Sequence, residues 1–168
     1  MKYLKALQML AICLIAISTT SICRAEEPLE PFLVETTKGM SQQDLNFALC
    51  TRSTYLQDIS YLKDIVAKGG DVNFVDLLGN SPLHYAATVR HADQYVMFLV
   101  SKGANIHAKG FNGRTVMHFV VGHCELETIK YFVSKGVDLS AKDDDGINVW
   151  ACGQDEKIRR YLRAHGAK

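Results

Sequence analysis

The sequence has little with which to cross-link itself, grip nucleic acid or cross a membrane. Of 168 residues, five are cysteine, three proline and one tryptophan. Cys13 and Cys23 fall in an N-terminal segment expected to be removed, which leaves Cys50, Cys124 and Cys152. An odd number allows at most one internal pair, so no disulfide framework holds the fold together. Neither sign of charge dominates, with 19 basic against 18 acidic side chains. That balance argues against phosphate-backbone binding, which runs on clustered Lys and Arg. No G-x-S-x-G, H-E-x-x-H or G-x-x-x-x-G-K-[ST] occurs, so the sequence offers no motif for a nucleophile elbow, a zinc protease helix or a phosphate cradle. Asn80-Ser81 runs into Pro82 in the wrong order for a glycosylation sequon, and the chain contains no usable one, which fits a bacterial envelope better than a eukaryotic secretory route. What is present is ordinary: 48% apolar and 22% charged residues, the composition of a globular protein with a core.

The N-terminus carries Lys2 and Lys5, an unbroken apolar run from Met9 to Ile17, and a polar stretch ending Cys23-Arg24-Ala25. A positive start, a short apolar middle and a small residue at the cut are the layout of a secretory signal peptide. Nine residues cannot span a hydrocarbon core that needs roughly 20, so no stable membrane anchor is expected. Residues 1–25 are therefore read as a signal peptide, and the expected location is the periplasm or the outside medium. Loss of Lys2, Lys5 and Arg24 leaves 16 basic against 18 acidic residues.

Residues 26–40 hold two of the prolines and four glutamates, and read as an extended leader. From Ser41 the chain is periodic. "AKGGDVN", "SKGANIH", "SKGVDLS" and "AHGAK" each end an apolar stretch on a glycine, at 69, 103, 136 and 166, at intervals of 34, 33 and 30 residues. Glycine just past a helix takes the left-handed backbone that closes its last turn, and Lys68, Lys102 and Lys135 sit where the helix dipole favours a cation. Leu83, Ala86 and Ala87, then Met117, Val120 and Val121, are apolar at helical spacing. A second helical set follows in each unit: Leu62, Ile65 and Val66; Val96, Leu99 and Val100; Ile129, Phe132 and Val133; Ile158 and Leu162. Each unit is thus two helices and a turn. Such a unit cannot bury its apolar face alone, and stacking on neighbours is the remedy.

The stretch "DLLGNSPLHYAA", with "SKGANIHAK" further on, resembles the ankyrin repeat, whose pattern runs D-x-x-G-x-T-P-L-H-x-A-A and closes with G-A-D-V-N. The resemblance implies an all-α solenoid of about four stacked helix-turn-helix units with hairpin-like turns between them. The units are read as 41–75, 76–109, 110–142 and 143–168, with Gly79, Gly113 and Gly146 in register. Val116 stands where the pattern has proline, Val120 and Val121 where it has alanines, and Ala151 where it has histidine. The second unit carries an extra residue near Thr88 to His91.

His84 and His118 match the pattern's histidine, which the resemblance assigns to the scaffold rather than to a metal or to catalysis. His118, His123 and Cys124 are too poorly spaced on one helix to form a metal site. No cofactor, metal or catalytic residue is expected, and the protein is read as no enzyme. The acid run Asp143 to Asp145 reads as a solvated turn, and "GFNG", residues 110–113, as a turn between units. In ankyrin proteins the turn tips and the open side of the first helix grip a partner protein. By position these are Val75, Leu77, Leu78, Asn80, Thr88 and Val89, then Lys109, Phe111, Asn112, Arg114 and His123, then Asp144, Asp145 and Ile147. Phe74, Leu77, Leu78 and Phe111 put large apolar groups where water alone would favour polar ones. The expected partner is a protein, with the chain acting as scaffold, inhibitor or immunity-type binder. The competing expectation is a small periplasmic redox or metal-handling protein built on Cys124, Cys152 and the neighbouring histidines.

Overall fold

A computed structural model describes residues 37, 39–53, 59–153 and 155–167. The expected signal segment 1–25 lies outside the described residues, as does the leader save for Thr37, Gly39 and Met40. The described residues form seven α-helices: α1 (Gln42–Arg52), α2 (Ile59–Ala67), α3 (Pro82–Ala87), α4 (Asp93–Ser101), α5 (Val116–His123), α6 (Leu126–Ser134) and α7 (Glu156–Ala164). Two 3-10 turns, Phe111–Gly113 and Val149–Cys152, complete the set. Among the described residues there is no strand, only two isolated bridges, Lys109 with Thr115 and Lys142 with Asn148.

The helices pair and stack as the repeat requires. Each first helix packs on its own second helix (α1 on α2, α3 on α4, α5 on α6), and the first helices form a continuous series α1, α3, α5 and the 3-10 turn Val149–Cys152. Their shared seam is apolar. Leu49, Leu83, Ala86, Ala87, Val120 and Val149 are fully buried from the first helices, and Ile65, Val96, Leu99, Ile129, Phe132 and Leu162 from the second. Each Val, Leu, Ile or Phe among them removed from water contributes about 1.5–3 kcal/mol, which is why single units of this kind do not stand alone.

The stops are those expected. Gly69, Gly103, Gly136 and Gly166 all have positive φ, from 75° to 102°. Lys102 and Lys135 cap α4 and α6, and each ammonium lies over a ring of the preceding turn, Phe98 at 5.7 Å and Tyr131 at 5.3 Å. The extra residue of the second unit is accommodated between α3 and α4. There His91 takes φ of 58° and donates its N–H to the His123 carbonyl of the next unit, at 3.1 Å. In the last unit the first helix shrinks to the 3-10 turn Val149–Cys152, where Ala151 stands in the histidine position and can make no cap.

Candidate protein-binding surface

The surface is built on the turns that join one unit to the next. Asp76 opens the first of them. Its Oδ1 accepts from Leu78 N and Asn80 N, both at 2.9 Å, and its Oδ2 accepts from the Tyr85 hydroxyl at 2.5 Å. Asp143, in the equivalent place of the last unit, repeats the clamp: Oδ1 accepts from Asp145 N at 3.1 Å and Ile147 N at 2.8 Å. Its Oδ2 accepts from Arg114 Nε, at 2.9 Å, across to the preceding unit. The sequence reading of 143–145 as a solvated acid run therefore holds for Asp144 and Asp145 and fails for Asp143, which is buried. Burial raises the Asp143 carboxyl, but the Ile147 N–H, the Arg114 guanidinium and the Asp145 N–H outweigh it and hold the group below its ordinary value.

The turns are also stapled to one another. Phe111 N donates to Asn80 Oδ1 at 2.9 Å, Asp144 N to the Asn112 carbonyl at 3.0 Å, and Asn112 Nδ2 to Asp145 Oδ2 at 2.5 Å. "GFNG" is accordingly a turn, with Asn112 at φ of 57°, and Gly110 is required there. A Cβ on Gly110 would lie 2.3 Å from Asn80 Oδ1 and 3.0 Å from the His84 ring. Gly79, Gly113 and Gly146 have positive φ, as their place in the turns demands.

His84 and His118 cap the starts of their helices, and His118 also ties its helix to the row of turns. Each ring sits at the third helical position and accepts, through Nδ1, from the backbone N–H of the cap residue, Ser81 or Thr115, at 3.1 Å. A backbone N–H can only donate, so Nδ1 carries no proton and the imidazole is the neutral Nε2–H tautomer. For His118 that Nε2–H meets the Ile147 carbonyl at 3.1 Å, in the turn of the next unit. Both nitrogens of His118 are thereby committed, and neither offers a lone pair to a metal. Burial is the main cause that lowers the pKa of both histidines, opposed at His118 by the Ile147 carbonyl that accepts from Nε2.

On this fixed row the side chains expected to meet a partner divide in two. Val75, Leu78 and Phe111 are 55%, 56% and 60% exposed, Leu77 is wholly so, and Ile147 is exposed as well. Phe74 is half-buried. Asn80, Asn112, Arg114 and Asp145 spend polar atoms on the staples just described, and Lys109 lies at a bridge position at the base of its turn. Thr88 Oγ1 donates to the Tyr85 carbonyl at 2.7 Å, Val89 packs against the core, and His123 Nδ1 lies 3.0 Å from the Phe119 carbonyl.

The sequence reading passed over one series. In each of the first three units an aromatic follows the polar position of the first helix: Phe47 after Asn46, Tyr85 after His84, Phe119 after His118. Phe47 is exposed and the other two are half-buried, in a burial pattern that matches from unit to unit. Phe119 meets the His84 ring edge-on at 6.2 Å, and the Arg114 guanidinium lies 6.0 Å from its centre. The signal was legible, since the three aromatics share one register.

The thiols make poor chemistry. Cys50, Cys124 and Cys152 are thiols, none of them in a disulfide among the described residues. Burial, reinforced by Asp76 in one case and by Asp93 and Glu125 in the other, pushes Cys50 and Cys124 up to about 12. Burial also raises Cys152. A thiol so far from ionisation is a weak nucleophile and a weak ligand.

Helix pairs stacked on a common seam, two of their first helices capped by histidine and joined by stapled turns, define a repeat solenoid. The chain belongs to the ankyrin repeat family, whose model of three copies matches residues 48–143. It is 30% identical over 96 residues to an ankyrin repeat protein of Rickettsia bellii, covering 56% of this chain and 53% of that one. It is 31% identical over 87 residues to rabankyrin-5 of Mus musculus, covering 51% of this chain and 7% of that one. With alpha-latrocrustotoxin-Lt1a of Latrodectus tredecimguttatus it shares 25% identity over 117 residues, 69% of this chain and 8% of the toxin. The chain thus spans about half the length of the first of these relatives and under a tenth of the other two. Ankyrin repeats serve generally as non-enzymatic protein–protein interaction modules. No helix among the described residues is long and apolar enough to cross a membrane.

Proposed function

We propose that this chain is an exported interaction module that holds a protein partner on its row of turn tips, acting as a scaffold or as an inhibitor that occludes what it binds. The observation that carries the reading is the exposure of Val75, Leu77, Leu78, Phe111 and Ile147 on turns whose backbones are stapled together. Large apolar side chains on turns cost solubility and add nothing to a core. Held on a rigid frame, they bind without losing much conformational entropy, which is how a modest surface reaches useful affinity. The aromatics Tyr85 and Phe119 line the neighbouring side of the first helices and extend the same surface. Export rests on Lys2 and Lys5 followed by the Met9–Ile17 run. A non-enzymatic role is supported by two histidines engaged in helix caps and by thiols pushed far from ionisation.

The test is capture from the envelope fraction of the native source with the processed chain as bait. Leu78→Ala and Phe111→Ala baits should lose the partner by about tenfold, the scale of a truncated interface anchor, with thermal midpoints within a degree or two of the parent. Unchanged capture by both variants contradicts the reading.

A further inference from the structure

The row of tips has a polarity. At one end Val75, Leu77 and Leu78 stand exposed around a single half-buried carboxylate, Asp76, whose oxygens accept from Leu78 N, Asn80 N and Tyr85 OH within the turn. Phe111 stands in the middle. At the other end Asp144 and Asp145 are exposed, and the cation nearest in the adjoining turn, Arg114, is consumed by buried Asp143. Lys109 and Lys142 occupy bridge positions at the bases of their turns, not the tips. The tips therefore run from mainly apolar, with one half-buried carboxylate, to mainly acidic, with Ile147 exposed beside the acids.

We propose that the partner segment seated here is a stretch of polypeptide with a block of large apolar side chains at the Leu77–Leu78 end and a lysine or arginine at the Asp144–Asp145 end, so that it docks in one direction only. This deepens the proposed function and rests on it. Neighbouring units packed at helix spacing lie about 8–10 Å apart, so three tips span about 20 Å. An extended chain covers that in about six residues, which sets the interval between the apolar block and the cation. The apolar contacts supply most of the affinity, while the exposed acid pair supplies direction and excludes acidic competitors.

The probe is a phage-displayed library of random dodecapeptides selected on the full chain, with selected sequences then synthesised and titrated by fluorescence anisotropy. Enriched peptides should carry two or three of Leu, Ile, Phe or Trp and a Lys or Arg about six residues away. Their binding should weaken about tenfold with Leu78→Ala. With Asp144→Asn and Asp145→Asn together it should weaken about fivefold, the loss shrinking at high salt as expected of exposed ion pairs. Asparagine at 145 keeps an oxygen for Asn112 Nδ2, so the row itself stays stapled, which circular dichroism and the thermal midpoint verify. Peptides that depend on Leu78 but carry no cation, and are indifferent to the paired Asn substitutions, overturn the polarity while leaving the binding row intact. Failure to enrich any sequence, or enrichment indifferent to both Leu78 and Phe111, overturns the row and the polarity together. Concentration-dependent dimerisation by light scattering, abolished by Leu78→Asp, would make the occupant a second copy and overturn the proposal too.

Discussion

At the scale of single residues, the histidines illustrate how much a small polar group can hold. His118 accepts from Thr115 N and donates to the Ile147 carbonyl, tying a helix start to the turn of the following unit. Protonation would set a second N–H against the Thr115 N–H. The folded pKa is lowered from an ordinary value of 6.5, so the unfolded chain binds the proton first. Stability from this group is complete above about pH 6.5 and is lost as pH falls below it; His84 behaves in the same way. The thermal midpoint should thus decline from pH 7 to pH 5. His118→Gln, which keeps a neutral acceptor at the third helical position, should flatten the decline. His118→Ala strands a buried donor and acceptor and should cost about 2–3 kcal/mol by urea unfolding at pH 7. Thiol reactivity gives a second check at this scale. Cys50 and Cys124, buried and pushed up to about 12, should resist iodoacetamide at pH 8 in the folded protein and react only on denaturation. Rapid alkylation of native Cys124 would revive the redox reading.

The elements show what a sequence can and cannot disclose. The helix pairs were legible because burial repeats at helical spacing and because a glycine ends each second helix. The turn interactions were not, because they join residues about 30 apart through single hydrogen bonds that leave no periodic trace. Asp143 reads as one acid among three, yet the fold buries it beneath Arg114. Asn80 reads as a candidate contact, yet its Oδ1 is taken by Phe111 N. Two glycines separate the kinds of constraint. Gly136 has φ of 75° and open space around a would-be Cβ, so Gly136→Ala should cost only the left-handed backbone strain, about 1 kcal/mol. Gly110 has an ordinary φ of −116° but no room. Gly110→Ala should cost more, about 2–4 kcal/mol, since the Asn80 staple or the His84 ring must give way. Equal losses at the two positions, measured by urea unfolding, would contradict the stapled turn.

Over the whole molecule, the side chains that hold the fold and those proposed to meet a partner are different. The seam through α1, α3 and α5 and their partners α2, α4 and α6 buries the aliphatic set that the repeat dictates, and the turn tips contribute almost nothing to it. The sequence disclosed the seam from Leu62 onward but not Leu45, Ala48 and Leu49 of α1, which lack a clear repeat motif. It did not disclose which tip residues are free, since that depends on how adjacent turns share hydrogen bonds. The central claim, that a partner lies along the tips and leaves the outer helices bare, is tested most directly by site-specific photo-crosslinking. A benzoylphenylalanine placed at Leu78, at Phe111 or at exposed Glu127 on α6 would be irradiated in the presence of the native envelope fraction. Positions 78 and 111 should yield one common adduct and position 127 none. An adduct from 127 with none from 78 or 111 would contradict the account.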